Sequence, residues 1–442
     1  MELLLIQPAI SKEKAFMETS QRELQPLAPA VLSALTPGDV NVGFLDDRFE
    51  EVSYADFPDL VGISTTTFTA KRAYEIAQGF RERKIPVILG GHHVKLETEE
   101  ALSHCSSVVV GEAEGLWSEV ISDFQHGNLK RTYQLEELPD LASTPVPDRE
   151  IFRGKDYLPI EMVETTRGCP NNCSFCSVSA FFGRGYRHRP IRDVVEEIAG
   201  LDRKLIFFVD DNIVSDFDYA KNLFRELRRL NIRWFGQAAI NMARDEKLLT
   251  LMRRSGCLGN LIGFESLDGE NLKSINKSWN RSLPYEESVD IIHGKGLGIF
   301  ASFITGLDGD DPETIERTYE FAMRKKFLAA NFNVLTPYPG TQLFEQIKES
   351  GRLTEDRWWL SDDPFKVRFV PNNFDGNELV RESFRIKREF YRYRNVFRRA
   401  TNWRPVFSSP YNFLLYVIMN KALHEEQGKV GQELKKAKDG GR

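Results

Sequence analysis

Three cysteines lie close together in the sequence CPNNCSFC, where Cys169, Cys173 and Cys176 are separated by three and two residues. Thiolates are the usual protein ligands of iron–sulfur clusters. Three of them hold three irons of a four-iron cube and leave the fourth iron free, so that an amine and a carboxylate can chelate it. A structural zinc site needs a fourth protein ligand, and the nearest candidate, His188, lies twelve residues beyond Cys176. The spacing therefore favours a [4Fe–4S] cluster.

The composition is that of a globular protein. The 442 residues are 41% hydrophobic and 28% charged, which suits two or three domains. A formal net charge of −6 disfavours a nucleic-acid partner. We expect a cytoplasmic protein, because no run of about 18 apolar residues could span a membrane and the N-terminus lacks a signal peptide. Cys105 and Cys257 lie far from the other cysteines, and we expect both to be buried side chains without a ligand.

The first 126 residues alternate apolar strands with helical segments. This pattern predicts a doubly wound, Rossmann-like α/β domain with a parallel sheet. The predicted strands are 2–7, 40–46, 60–64, 86–91 and 107–111. Ligands of such sheets bind at the carboxyl ends of the strands. Those ends carry small or polar residues: Gln7–Pro8, Asp46–Asp47, Ser64–Thr67, Gly90–His93 and Gly111–Glu114.

A proline-containing linker is predicted at 127–152, after which the alternation of strands and helices starts again. Six strand–helix units predict a partial (β/α)6 barrel over 153–345. The predicted strands are 159–165, 204–210, 232–239, 260–265, 298–305 and 330–336, and the cysteines follow the first of them. A helical cap is predicted at 346–424 and a disordered tail at 425–442.

The segment 380–404 carries nine Lys or Arg against two Glu, interleaved with aromatic residues. One interpretation is an amphipathic helix whose aromatic side chains pack on the barrel and whose arginines are solvated. The other is an element that contacts a membrane surface or a lipid-like substrate. We favour the first interpretation. A helical cap over the barrel mouth would also select the substrate, which we expect to be apolar.

The cysteine motif after the first barrel strand resembles that of the radical S-adenosylmethionine (SAM) superfamily, and the resemblance covers 155–345. It implies that the fourth iron binds the methionine part of SAM. One-electron reduction then breaks a C–S bond of the sulfonium and gives a 5′-deoxyadenosyl radical that abstracts a substrate hydrogen. The implied SAM contacts are Phe175, Asp210, Asp211, Asn212, Gln237, Glu265, Ser302, Leu335 and Thr336. For Asp211 and Asn212, a helix N-cap is an equal alternative.

The N-terminal domain resembles the cobalamin (B12)-binding domain that often precedes such a barrel. The implied cobalamin contacts are Pro8, Arg48, Ser64, Thr65, Thr66, Thr67, Gly90, Gly91, His92, Gly111, Glu112 and Glu114. The Asp-x-His-x-x-Gly loop that supplies a cobalt ligand is missing, and Arg48 stands where its histidine would be. The resemblance therefore implies cobalamin without a protein ligand to cobalt, with His92 and His93 as alternative ligands. A domain that has lost its cofactor and only packs on the barrel is the other alternative.

Together the two resemblances imply an enzyme with a [4Fe–4S] cluster, SAM and cobalamin, which methylates an unactivated carbon. The alternative enzyme performs ring formation, dehydration or carbon–carbon coupling without methyl transfer. A third hypothesis is a non-catalytic iron–sulfur or zinc protein. A methylthiotransferase is disfavoured because only two further cysteines remain for a second cluster. The expected partners are an apolar or lipid-like small molecule and an electron donor such as flavodoxin or ferredoxin. The basic aromatic segment is the candidate for peripheral membrane contact.

Overall fold

The computed structural model describes residues 1–11, 23–55, 57–363 and 366–439, without the side chains of residues 403 and 432–439. Both predicted α/β units are present and contact each other, and a helical region follows them. No helix in the described part of the chain is long and apolar enough to cross a membrane.

Six parallel strands form the N-terminal sheet: β1 Glu2–Gln7, β2 Asn41–Asp46, β3 Leu60–Ser64, β4 Val87–Gly90, β5 Ser107–Val110 and β6 Thr132–Gln134. Their order across the sheet is β2-β1-β3-β4-β5-β6. The helices of this unit are α1 Leu27–Leu35, α2 Ala70–Arg81, α3 His92–Leu96, α4 Thr98–His104 and α5 Trp117–Gln125. The first five strands confirm the prediction. β6 lies in the predicted linker, so the sheet extends beyond residue 126, because a strand of three residues is too short for a recognisable pattern.

The second unit contains β7 Glu161–Val163, β8 Thr166–Arg167, β9 Arg187–His188, β10 Leu205–Phe208, β11 Arg233–Gln237, β12 Cys257–Glu265, β13 Gly298–Thr305 and β14 Ala329–Val334. Six of these strands form a parallel sheet in the order β7-β10-β11-β12-β13-β14, whereas β8 and β9 form a separate antiparallel pair. The helices are α6 Ser177–Phe182, α7 Ile191–Ala199, α8 Phe217–Leu227, α9 Glu246–Arg254, α10 Gly269–Ser274, α11 Tyr285–Gly294, α12 Pro312–Arg324 and α13 Gln342–Glu349. The sequential order confirms the partial barrel.

Burial alternates along the barrel strands. On β13, Ala301 and Phe303 are buried against the outer helices, whereas Phe300, Ser302 and Ile304 are half-buried on the opposite, concave side. The interior of a closed eight-stranded barrel is filled by side chains. The side chains on the concave face of this open barrel are only half-buried, so they are accessible to a ligand.

The C-terminal region consists of α14 Gly376–Phe390, α15 Tyr393–Ala400, α16 Trp403–Val406 and α17 Pro410–Asp439. Residues 425–439, for which the sequence predicts disorder, continue α17, and 440–442 lie outside the described residues. The segment before α14 returns to the N-terminal domain, where Trp359 Nε1 donates to Glu100 Oε1 at 2.8 Å. Tyr157, shortly before β7, donates to Asp46 Oδ2 at 2.7 Å. These contacts join the N-terminal unit to segments on both sides of the barrel in the sequence.

Candidate functional site

The three cysteines lie on the loop 168–176 between β8 and α6, which we call the cysteine loop. Two backbone hydrogen bonds attach this loop to distant parts of the barrel. Ser174 N donates to Ile275 O at 3.1 Å, and Leu343 N donates to Ser174 O at 2.8 Å. All three thiols are free and half-buried. The loop therefore presents three unpaired sulfur atoms at the carboxyl edge of the barrel strands.

The surroundings of the thiols suit metal coordination. Burial raises the pKa of the Cys173 thiol to about 11, although the nearby Lys277 ammonium lowers it. Burial also raises the pKa of Cys176. Coordination removes this cost, because a coordinating thiol is deprotonated outright. Asn171 Nδ2 donates to Cys169 Sγ at 3.4 Å, and hydrogen bonds to sulfur tune the potential of a cluster.

The zinc alternative lacks ligands. Within the part of the chain that the structure describes, no three His, Cys, Asp or Glu side chains converge closely enough to hold one metal ion. His188, the sequence candidate for a fourth ligand, stacks on the ring of Tyr219 at 4.3 Å. A four-iron cube accepts thiolates at separate corners, which suits sulfurs spread along one loop. The donor set thus fits a [4Fe–4S] cluster.

The predicted SAM contacts after β10 hold the cysteine loop in place. Asp210 is buried and accepts hydrogen bonds from the hydroxyls of Thr165 and Thr166, each at 2.6 Å. Burial raises the pKa of Asp210 to about 7, although these hydroxyls lower it. Asp211 accepts from Gly168 N at 3.2 Å, at the start of the loop. The hydrogen-bonding capacity of Asp210 is used within the protein, so it positions the strand that precedes the cysteines.

Neither Asp211 nor Asn212 is a helix N-cap, because Asp216 caps α8 with hydrogen bonds to Asp218 N and Tyr219 N. Asn212 Oδ1 instead accepts from Ala239 N at 2.9 Å and joins the ends of two neighbouring strands. The N-cap alternative is therefore wrong for both residues.

A lysine that no sequence pattern predicts lies between two of the predicted SAM contacts, Glu265 and Phe175. Lys277 Nζ is 2.5 Å from Glu265 Oε1, and both side chains are buried. The same ammonium lies 5.9 Å from the ring centre of Phe175. A Cβ on Gly263 would lie 2.2 Å from Glu265 Oε1, so only glycine leaves room for this carboxylate. No motif marks Lys277, because its role depends on Glu265, twelve residues earlier.

The remaining predicted SAM contacts divide between the concave face and the strand ends. Gln237 and Ser302 are half-buried on the concave face, where Asn333 Nδ2 donates to Ser302 Oγ at 3.3 Å. Leu335 is buried, and Thr336 donates to Val334 O at 3.3 Å. The structure therefore places Gln237, Glu265 and Ser302 on three neighbouring strands, β11, β12 and β13, whereas Leu335 packs into the core. Phe175 lies close to Glu265 through their shared neighbour Lys277.

The carboxyl edge of the N-terminal sheet has features of a ligand site. Thr65 Oγ1 is buried and has no hydrogen-bond partner among the described residues. Gly91 has a φ of +99°, and a Cβ there would lie 2.6 Å from Thr65 O. Gly111, at the end of β5, has open space around it. These features fit a large cofactor. The glycines let it approach the backbone, and its polar groups would complete the hydrogen bonding of the buried hydroxyl.

The other predicted cobalamin contacts of the N-terminal domain differ in how exposed they are. Pro8 follows β1 and is buried, Ser64 and Gly90 are half-buried at the sheet edge, Thr66 is exposed, and Thr67 is buried. Arg48 makes two hydrogen bonds to Asp46, at 2.8 and 2.7 Å, and one to Glu23 at 3.1 Å. Its guanidinium is therefore committed to carboxylates within the domain.

The two histidine candidates are held by other side chains. His93 is fully buried, with Nε2 at 3.1 Å from the hydroxyl of Tyr74 and 3.4 Å from Glu100 Oε1. His92 stacks on Phe181 of α6, with ring centres 4.0 Å apart. Burial lowers the pKa of His92 to about 4. His92 therefore joins the edge of the N-terminal sheet to the helix after the cysteine loop.

Glu112 and Glu114 join the two domains through arginines. Arg167, two residues before Cys169, contacts Glu112 Oε2 and is 2.6 Å from Glu114 Oε1. Arg187 contacts Glu112 from the other side. The family resemblance predicts both glutamates as cobalamin contacts, because the sequence does not reveal that arginines of the barrel lie opposite them. Their buried ion pairs bring the carboxyl edges of the two sheets together.

Two protein-family models match the chain. The Radical SAM superfamily model covers residues 163–322, and the B12 binding domain model covers residues 15–121. The bacteriochlorophyllide d C-12(1)-methyltransferase of Chlorobaculum tepidum is 31% identical over 432 residues, which is 95% of this chain and 92% of that protein. The hopanoid C-2 methylase of Rhodopseudomonas palustris is 26% identical over 352 residues, which is 75% of this chain and 66% of that protein.

Solved structures show the same fold. The radical SAM methyltransferase TsrM from Kitasatospora setae, with tryptophan and a SAM analogue, has a TM-score of 0.64 at 20% identity and covers 79% of this chain and 76% of its own. The cobalamin-dependent SAM radical enzyme OxsB has a TM-score of 0.69 at 12% identity, and the match covers 99% of this chain and 80% of OxsB. The chain belongs to the radical SAM superfamily, as an enzyme with an N-terminal B12-binding domain whose cofactors are a [4Fe–4S] cluster, SAM and cobalamin.

Proposed function

We propose that this enzyme transfers a methyl group to an unactivated carbon of a large, apolar polycyclic molecule. The observation that carries the proposal is the concave face of the barrel, where the aromatic side chains of Phe207, Phe235 and Phe300 are only half-buried. The rings of Phe207 and Phe235 stack with their centres 4.9 Å apart. Aromatic concave surfaces with few polar groups are typical small-molecule sites. The names of two relatives describe methyl transfer to a bacteriochlorophyllide and to a hopanoid, both apolar ring systems.

When bound, the cluster with SAM supplies a radical that removes a hydrogen atom, and cobalamin carries the methyl group. The residues of this chain bind, orient and exclude water. Cys169, Cys173 and Cys176 hold the cluster, and Asp210 fixes the strand before them. Lys277 and Glu265 form a charged pair beside Phe175, at the position that the family resemblance assigns to the nucleoside of SAM.

The ion pairs of Arg167 with Glu112 and Glu114 keep the two sheet edges in contact, so a substrate would lie between cobalamin and cluster. With both cofactors bound, the pocket would have one of them on each side. A small error in the position of the substrate carbon would lower the rate, because a radical reaction requires the target to be held close to its reacting geometry.

The competing function is ring formation without methyl transfer. The anaerobic magnesium-protoporphyrin IX monomethyl ester cyclase of Rubrivivax gelatinosus is 27% identical over 385 residues, which is 78% of this chain and 68% of that protein. The methyltransferase from Chlorobaculum tepidum has higher identity and covers more of both chains. This comparison favours methyl transfer.

The proposed partners follow from the same chemistry. The substrate is an apolar or lipid-like small molecule, and the electron donor is a small one-electron carrier such as flavodoxin or ferredoxin. We also propose a cytoplasmic location, which the free, buried thiols of Cys105 and Cys257 support, because a reducing compartment keeps thiols unpaired.

The test uses protein reconstituted anaerobically with iron, sulfide and cobalamin, then reduced with SAM that carries a deuterated methyl group. Chlorophyllide-type tetrapyrroles and a hopanoid precursor serve as candidate substrates. We expect the labelled methyl group in one of these products, with corrin absorption in the purified enzyme. A cluster-loaded enzyme without corrin bands, or a product that gains no label while SAM is consumed, would exclude methyl transfer and favour the cyclase alternative.

A further inference from the structure

Exposed apolar side chains are concentrated in one part of the C-terminal region. Of the fifteen large hydrophobic side chains that are exposed among the described residues, eight lie between residues 393 and 418. Single exposed hydrophobics are normal on protein surfaces, whereas contiguous patches mark interaction sites. The concentration in this segment therefore indicates an interaction surface.

The patch has a regular geometry on α17. Tyr411, Leu414 and Ile418 are spaced by three and four residues, and Phe413 and Val417 by four, so all five occupy one side of the helix. Phe407 extends the patch, because its ring stacks on that of Phe413 with centres 5.1 Å apart. We call these six side chains the C-terminal apolar face.

The opposite side of α17 is attached to the protein. Tyr416 is buried and donates to Val396 O at 2.7 Å. Asn420 is also buried and accepts from Arg399 Nη2 at 2.9 Å. The helix is thus fixed along one side and presents an apolar surface on the other, and that surface is not the product of a loosely attached terminus.

The charge around the C-terminal apolar face is positive. Residues 391–424 contain six Arg or Lys and no Asp or Glu. Arg399 is buried, whereas Arg398, Arg404 and Lys421 are exposed. Two carboxylates just outside this range balance part of the charge, because Glu389 pairs with Arg392 and Arg394 and Glu425 pairs with Lys421. The positive charge nevertheless remains in excess. An apolar surface with basic residues around it matches an anionic lipid interface, where arginine and lysine contact headgroups and aromatic side chains enter the acyl boundary.

The face lies away from the reaction site. Arg404 Nη1 donates to Gly294 O at 3.1 Å, in the segment before β13. Tyr411 lies near Arg233, at the start of β11. Burial raises the pKa of Tyr411, and the positive charge of Arg233 opposes this rise. These contacts are at the amino ends of the barrel strands, whereas the cysteine loop is at the carboxyl ends. Contact with a surface at this position leaves the site uncovered.

We propose that the C-terminal apolar face docks this enzyme on an anionic membrane surface. A second copy of the chain is a poorer partner, because a two-fold contact would bring the same basic residues against each other. This proposal corrects the location given by the sequence, which pointed to 380–404. Phe390 and Tyr391 of that segment are fully buried, and the exposed apolar side chains lie mainly beyond it. The proposal does not depend on the substrate or on methyl transfer.

The experiment is flotation of the cofactor-loaded, full-length enzyme with vesicles of phosphatidylcholine alone and of phosphatidylcholine with an equal share of phosphatidylglycerol. We expect binding to the anionic vesicles and not to the neutral ones, with loss of binding at high salt. The variant L414Q/I418Q should bind the anionic vesicles about tenfold more weakly, because two apolar side chains no longer enter the interface.

The matched control is Phe57→Gln, which changes the most exposed large hydrophobic residue, in the N-terminal domain, and should leave vesicle binding unchanged. Cleavage of SAM in the absence of vesicles should be equal in wild type and both variants, which shows that folding and cofactors are intact. The proposal is overturned if wild type does not float with anionic vesicles, or if L414Q/I418Q binds as well as wild type. It is also overturned if wild type is a dimer in solution that L414Q/I418Q converts to a monomer.

Discussion

Two arginine-rich regions of this protein have opposite surroundings. At the domain boundary, Arg167 is buried among the carboxylates of Glu112, Glu114 and Glu164. In the C-terminal region, residues 391–424 contain arginines and no carboxylates at all. The first set of charges is neutralised within the chain, so its role is to join two domains. In the second set, Glu389 pairs with both Arg392 and Arg394, whereas Arg398 is exposed and has no carboxylate partner among the described residues. This excess of positive charge indicates a partner outside the chain.

One arginine of the C-terminal region has its partners inside the protein. Arg399 belongs to the C-terminal region but is fully buried, and it donates to Phe327 O at 2.8 Å and to Leu328 O at 3.0 Å. Its guanidinium also lies 3.7 Å from the ring centre of Phe390. Carbonyl oxygens and an aromatic ring therefore take the place of carboxylates. Both regions contain arginines. They differ in whether the groups that bind those arginines belong to the protein.

The largest effect on stability is expected at the domain boundary. Arg167→Met leaves Glu112 and Glu114 buried without their shared partner, and breaking a buried ion pair in this way costs about 3 to 5 kcal/mol. Chemical denaturation of the variant should show this loss in the free energy of unfolding. Arg167→Lys is the matched control. It keeps the positive charge but not the guanidinium that contacts two carboxylates, so the free energy of unfolding should fall by less. A loss below about 1 kcal/mol for Arg167→Met would mean that the pairs are solvated and that the boundary is not fixed by charge.

A smaller loss is expected at Arg399. Arg399→Met removes hydrogen bonds from buried carbonyl oxygens, but it leaves no unpaired carboxylate, and we expect a loss of about 2 to 3 kcal/mol. Arg398→Met, at the exposed neighbouring position, is the control and should change little. If both substitutions had equal effects in thermal unfolding, burial would not distinguish the arginines of this region.

The smallest effect is expected on the exposed aromatic side chains. Phe397 is 72% exposed, so Phe397→Ser should change the free energy of unfolding by less than about 0.5 kcal/mol. Differential scanning calorimetry of the isolated protein measures this change. A larger destabilisation would show that the ring packs within the protein, and the C-terminal region would then resemble the domain boundary.

Much of the fold could be predicted because its signals are local. The apolar runs that form β1 to β5 and the six barrel strands are short and bounded by polar residues, and the structure confirms them. β6 was missed because three residues carry no pattern, and the tail was assigned to disorder because polar residues follow 424. A long helix that begins at Pro410 continues through that polar segment.

The site could be predicted only in part. The cysteine spacing predicts the cluster ligands, and the family resemblance predicts the SAM contacts at the strand ends around them. Lys277 was missed because its partner is brought close by the fold, and Glu112 and Glu114 were assigned to cobalamin because Arg167 lies 55 and 53 residues away in the chain. Which charged groups face each other across a domain boundary is a property of tertiary structure, and no local pattern records it.

The central claim is that three cysteines on one loop hold a cluster that cleaves SAM. The most direct measurement is the release of 5′-deoxyadenosine from SAM by the anaerobically reconstituted, reduced enzyme, compared between wild type, Cys173→Ala and Cys257→Ala. We predict release by wild type and by Cys257→Ala, whose buried thiol lies outside the cysteine loop, and release at background level by Cys173→Ala with a matching loss of iron and sulfide. Release by Cys173→Ala at the wild-type rate, or no release by cluster-loaded wild type, would contradict the account.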